Sequence, residues 1–100
     1  MEVWREKAFE VVLDGVWLTG VFDRVVVEYG EDSRASKAWV IDFKTDRIPE
    51  AGPAALIVKH SIQLDHYRRV AGLLTGLSPR VVRCSLALVT IPTLIELPAS

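Results

Sequence analysis

Cysteine is almost missing from this chain. Cys84 stands alone, so neither an internal disulfide nor a cysteine-ligated cluster can form. Its place in an apolar strand pattern predicts a small core residue. Neither sign of charge is in excess: 12 Lys and Arg face 13 Asp and Glu, a net charge of −1. That balance excludes a general attraction for polyanions and leaves only local nucleic-acid contacts. No apolar run approaches the roughly 18 residues of a membrane helix. The opening "MEVWREKAFE" alternates charges where a signal peptide would be apolar. A cytoplasmic protein away from the membrane is expected. Repeats, low-complexity tracts and internal linkers are also lacking.

What is present is a large apolar fraction. Half of the 100 residues are hydrophobic, with three Trp, three Phe and two Tyr, enough for one core, and a single domain over residues 1–100 is expected. "KAFEVVL" (Lys7 to Leu13) and "VWLTGVFDRVVVEY" (Val16 to Tyr29) are rich in Val, aromatics and Thr, and Asp14-Gly15 between them is a hairpin signal. "GEDSRASK" (Gly30 to Lys37) reads as a loop, after which Ala38 to Lys44 resumes a strand. Pro49, Gly52 and Pro53 predict a loop over Arg47 to Lys59. From Ser61 to Leu77 the period changes: Leu64, Tyr67, Ala71 and Leu74 mark an amphipathic helix, with Ser61 as N-cap and Gly76 and Pro79 closing it. "VVRCSLALVTI" from Val81 predicts a central strand, apolar on both faces, and "TLIEL" a short last one. The order βββαββ is that of an α/β mixed sheet. Such a sheet needs cover on both faces and one helix supplies one, so a partner, a second copy or a further helix should shield the other.

Within "WVIDFKTD" (Trp39 to Asp46), Asp42 and Lys44 occupy positions where a buried strand would carry hydrophobic residues. Alternation puts both on one face, about 7 Å apart at their α-carbons. One other acid, Asp23 in "TGVFDRVVV", interrupts the preceding strand, with Gly20 leaving room for close approach. If the two strands pair through the 30–37 loop, Asp23 and Asp42 lie side by side. At ~5 Å and an effective dielectric of ~20 their repulsion is about 3 kcal/mol. A divalent cation reverses that sign. Two carboxylates and the Phe43 carbonyl make a hard oxygen site suited to Mg²⁺ or Mn²⁺, with Lys44 placed to act on a water and on charge developing at phosphorus. The competing reading is a surface ladder of ion pairs among Asp23, Arg24, Asp42 and Lys44. The Val residues flanking these positions weigh against a solvated face.

Three segments in order, "GVFDR" (Gly20 to Arg24), "VIDFKT" (Val40 to Thr45) and "QLDHY" (Gln63 to Tyr67), resemble the G-x-x-D, D-x-K and Q-x-x-x-Y motifs of RecB-like nucleases of the PD-(D/E)XK superfamily. The likeness is nearest to the C-terminal nuclease domain of AddA- and RecB-type repair helicases, and it decides against the surface ladder. It implies a restriction-endonuclease-like fold, metal-binding acids at Asp23 and Asp42, a catalytic lysine at Lys44, and Gln63 and Tyr67 bordering the active site. The activity implied is metal-dependent exonucleolytic hydrolysis of DNA in double-strand break repair. The partners implied are single-stranded DNA ends, the helicase domains of a parent chain and a partner subunit. Glu6 resembles an acid that often precedes the first strand, on a short match.

Two departures accompany the likeness. The family's core usually opens with a helical region that adds a His or Glu ligand. Here strand follows Met1 almost at once, so a fragment of a larger helicase-nuclease, lacking that helix and weak in isolated cleavage, is expected. The four cysteines of the iron–sulfur relatives are absent. His60 and His66 do not fall where the missing ligand belongs, and His66 is expected on the solvated helix face. Arg68, Arg69 and Lys59, with Arg47, Arg80 and Arg83, are the candidate phosphate contacts. A noncatalytic module of the same fold, holding DNA or a partner, is the alternative. A free-standing restriction-type enzyme is disfavoured, since the length leaves no room for target recognition. The uncovered sheet face predicts self-association of the isolated chain.

Overall fold

In the structure, a computed structural model describing residues 1–90 and 92–98, the chain opens with a long hairpin. Strands β1 (Glu2–Leu13) and β2 (Val16–Tyr29) pair antiparallel down to Leu13 opposite Val16. Asp14 (φ 52°) and Gly15 (φ 76°) between them take the doubly positive conformation that suits a two-residue hairpin turn. β1 begins five residues before the expected Lys7, because Val3 and Trp4 continue the pairing onto Val26 and Val25. The hairpin is not regular throughout. Glu6 has φ 47°, and no β pairing joins it to β2 between Arg5–Arg24 and Lys7–Phe22. Beside that break, Phe22 and Val25, three residues apart, are both fully buried, so the period-2 alternation slips within "FDRV".

Strand β3 (Ala35–Lys44) starts three residues inside the expected loop. Gly30 N–H donates to Arg34 O (2.8 Å) and Ser33 N–H to Gly30 O (3.1 Å), which closes a turn short enough to let pairing restart at Ala35.

The crossover to β4 is where the sequence reading fails most. The helix α1 runs Pro53–Thr75, not from Ser61. Pro53 and its neighbours read as loop residues, yet Pro is well suited to the first helical position, where its missing N–H has no partner to lose. Gly52 (φ 98°) is the N-cap; Ser61 lies inside the helix, its hydroxyl donating to Val58 O at 3.1 Å. The far end follows expectation, with Gly76 at φ 76° closing onto Gly72 O. A 3₁₀ turn (Pro79–Val81) leads into β4 (Val82–Leu88), parallel to β3, and β5 (Thr93–Glu96) returns antiparallel. The strand expected to run from Val81 to Ile91 thus stops at Leu88, and Ile91 lies outside the described residues.

The five strands stand in the order β1-β2-β3-β4-β5, a mixed sheet with β3 in the middle and β4 one place from it. The helix lies over β3 and β4. Leu64 and Ala71 of α1, Val25, Val40, Cys84 and Leu86 form a core from which water is excluded. Cys84 is the expected core residue, its thiol against Leu64 O and pushed up to about 11 by burial.

The opposite sheet face has no helix over it among the described residues. Register places Val26, Trp39, Ile41, Phe43 and Ala87 there. Side chains partly cover it instead: Arg83 lies 4.3 Å from the Trp39 ring centroid and Arg24 5.3 Å from that of Phe43, and Trp39 Nε1 donates to Ser85 Oγ at 2.9 Å. Among the described residues no helix is long and apolar enough to cross a membrane.

Candidate active site

The β2–β3 ladder ends at Arg24 opposite Ile41, and one step further along that register Asp23 faces Asp42. The strands part at this step. In place of a ladder bond, Asp23 Oδ2 accepts the backbone N–H of Phe43 at 2.8 Å. A carboxylate is thereby fixed at the point where the sheet opens.

Asp42 is the buried member, 4 % exposed. Burial pushes its carboxyl up from the usual range, the neighbouring Asp23 carboxyl pushes it further, and Lys44 opposes both. Lys44 Nζ pairs with Asp42 Oδ2 at 3.0 Å, and beyond that ion pair this buried oxygen accepts no hydrogen bond of good geometry. The lysine's hydrogen bond goes to Gln63 Oε1 at 3.0 Å, and Gln63 Nε2 in turn donates to Tyr67 Oη at 3.2 Å. Four residues apart on α1, Gln63 and Tyr67 share one helix face. The Tyr67 ring is wedged against Phe22 (5.4 Å) and Phe9 (edge-on, 5.8 Å). Burial and the charge of Asp42 raise its phenol. Gly20 serves this wedge rather than Asp23, since a Cβ there would stand 2.7 Å from Phe9 Cζ.

The fold therefore gathers Asp23, Asp42, Lys44, Gln63 and Tyr67, with the Phe43 backbone between the acids. A buried carboxylate with one ammonium as its only partner and a second carboxylate beside it fits a hard divalent cation. Two acids are the whole carboxylate set, for no group of three His, Cys, Asp or Glu positioned for an ion occurs among the described residues. Of the surface ladder only the Asp42–Lys44 pair forms, and not on a solvated face: Asp42 is buried, and Arg24 turns to the opposite sheet face.

The basic residues fare differently. Arg68, a candidate DNA contact, is 4 % exposed; its Nε donates to Val82 O and its Nη1 to Pro98 O, both at 3.1 Å. It ties the helix to the C-terminal segment and cannot reach a phosphate. Arg69 pairs with Asp14 at the hairpin turn, and Lys59 with Asp46 at 2.7 Å. Arg83 pairs with Glu96, away from the site. His66 is half-buried rather than on a solvated face.

Sequence reasoning overlooked Asp46. Its Oδ2 accepts from Lys59 and from His60 Nε2 (3.3 Å), and Lys59 holds its carboxyl below the usual range. The alternation Asp42-Lys44-Asp46 was the available signal. This pair tethers the segment after β3 to the first turns of α1. There a groove of about 480 Å³, lined by Phe9, Thr19, Lys59, His60, Gln63 and Tyr67 among others, runs from the hairpin to the site.

A mixed sheet with two acids and a lysine where its strands part, braced by a Gln–Tyr pair on the crossover helix, is an α/β architecture of the restriction-endonuclease-like type. A family model described as the PD-(D/E)XK nuclease superfamily matches residues 1–95, and the chain belongs to that superfamily. Its members are typically metal-dependent nucleases. No curated protein matches the chain.

Proposed function

We propose that this chain is the catalytic core of a divalent-metal-dependent deoxyribonuclease of the exonucleolytic RecB/AddA kind, part of a helicase-nuclease acting on single-stranded DNA ends in double-strand break repair. The observation carrying this reading is the buried Asp42 carboxylate, whose Oδ2 has only its ion pair with Lys44 and stands beside a second carboxylate. Asp23, Asp42 and the Phe43 carbonyl would hold Mg²⁺ or Mn²⁺. A bound cation of this type supplies an activated water and charge neutralisation at phosphorus. Lys44 presents its ammonium beside that position, and Gln63 and Tyr67 hold it there, so that it orients water or stabilises charge without reorganising. Exposed Lys59 and half-buried Arg69 are engaged in ion pairs, which hold side chains weakly enough to be exchanged for phosphate oxygens.

The two-acid set also favours a second reading, a noncatalytic module of the same fold that binds DNA or a partner subunit. Calorimetric titration with MnCl₂ tests the metal assignment: binding lost in Asp42→Ala supports it, and equal binding by both proteins refutes it. Cleavage of single-stranded DNA that disappears in Lys44→Ala separates the enzyme from the module.

A further inference from the structure

On the open face of the sheet, beside the same opening, several unfavourable features converge. Arg5 and Arg24 are direct cross-strand partners, an arrangement in which like charges repel. Among the described residues neither guanidinium forms an ion pair with a carboxylate. Arg24 Nε is buried without an acceptor; it and Asp42 Oδ2 are the two such side-chain atoms among the described residues. Glu6, next to Arg5, holds a left-handed backbone at φ 47°, which glutamate seldom adopts. Phe43 is 39 % exposed, with Arg24 beside its ring. Arg5, Glu6, Asp23, Arg24 and Phe43 line one cavity of about 350 Å³.

An oxyanion in this cavity relieves most of these features together. It would place negative charge between two guanidiniums, both of which line the cavity. A guanidinium fork matches phosphate oxygens in a way a lysine does not. The flat Phe43 ring offers a stacking surface for a base. Two acids also line the cavity: Asp23 is already bonded to the Phe43 N–H, and Glu6 is exposed, so its charge is screened by water. Asp23 precedes Arg24 in the chain and belongs to both the acid pair and this cavity, which makes the two sites neighbours. We propose that Arg5, Arg24 and Phe43 form a subsite for a backbone phosphate of a nucleic-acid strand, adjoining the phosphate at the Asp23–Asp42 pair. This inference rests on the nuclease reading for its substrate, while the anion site can be observed without it.

The test follows the Arg24 Nε–H resonance by ¹H–¹⁵N NMR in EDTA, first with inorganic phosphate and then with a short single-stranded DNA, with or without a 5′-phosphate. A saturable shift with phosphate and with both oligonucleotides is expected. A response confined to the 5′-phosphorylated strand would make the ligand a terminal monoester and overturn the internal-phosphate assignment. No response to DNA would overturn the subsite, even if calorimetry shows a metal at Asp23 and Asp42. A response to DNA with no metal binding would sink the nuclease reading and leave the subsite standing. In parallel, Arg24→Gln should weaken oligonucleotide binding about 5- to 10-fold and lower the slope of log K against log salt by about 0.7, the contribution of one single-strand phosphate contact. Arg24→Lys, which keeps the charge but not the fork, should recover the slope and only part of the affinity. Unchanged affinity and slope in Arg24→Gln would refute the assignment.

Discussion

Replacing Asp42 by Asn should make the metal-free protein more stable, although Asp42 is the most buried acid of the site. The carboxylate is 4 % exposed and stands one cross-strand step from Asp23, where two negative charges at ~5 Å repel by about 3 kcal/mol at an effective dielectric of ~20. Lys44 at 3.0 Å offsets part of this. The balance is visible in the direction of titration: Asp42 sits above the ordinary 3.8, with burial the largest cause and Asp23 next. A carboxyl raised in the folded state destabilises the fold whenever it is ionised, by about 1.4 kcal/mol for each tenfold gain in proton affinity. In EDTA the wild type should therefore gain stability as pH falls through the folded value toward 3.8, relative to Asp42→Asn. At neutral pH the Asn variant should melt higher. Cation binding inverts this order. A metal at 100 times its dissociation constant adds about 2.7 kcal/mol, which in a domain of this size raises Tm by roughly 10–20 °C. Scanning calorimetry of both proteins, in EDTA and in MnCl₂, reads all of these outcomes. An Asn variant that melts lower than the wild type in EDTA, or that gains as much from manganese, would refute the reasoning.

Lys44→Ala should lower single-stranded DNA cleavage by about 10²–10³-fold, the usual cost of losing one preorganised charge, while calorimetric Mn²⁺ binding persists. Gly20→Ala sets a Cβ against the Phe9 ring and should destabilise by ~1–3 kcal/mol in urea, displacing the Tyr67 wedge with it. Arg68→Ala leaves the carbonyls of Val82 and Pro98 without their donor; a loss of ~1.5–3 kcal/mol in denaturant melts is expected, with DNA affinity unchanged once folding is corrected for. The sheet face opposite α1, with Trp39, Ile41 and Phe43 under two arginines, should give concentration-dependent self-association in light scattering, and a monomer at millimolar concentration would count against it.

Much of this protein is written in short-range pattern. Asp14-Gly15 sets the hairpin because two adjacent residues must take positive φ, a requirement local to the turn. Val- and aromatic-rich alternation marks β2 and β3, and the spacing of Leu64, Tyr67 and Ala71 marks the inner face of α1. The spacings of Asp23, of Asp42 with Lys44, and of Gln63 with Tyr67 singled out the residues that the fold gathers. The start of α1 was misread because Pro53 breaks a helix from within but begins one well, and only the surrounding fold shows which position it holds. Arg68 and Arg69 are chemically alike and adjacent, yet one is interior and the other paired with Asp14, since helical rotation turns them to different neighbours. The opening of the sheet after Arg24 and Ile41, the buried Asp42 carboxylate beside Asp23 and the facing Arg5 and Arg24 depend on register between strands distant in sequence. Burial and register arise only when those strands meet, which is why the tertiary structure alone decided them.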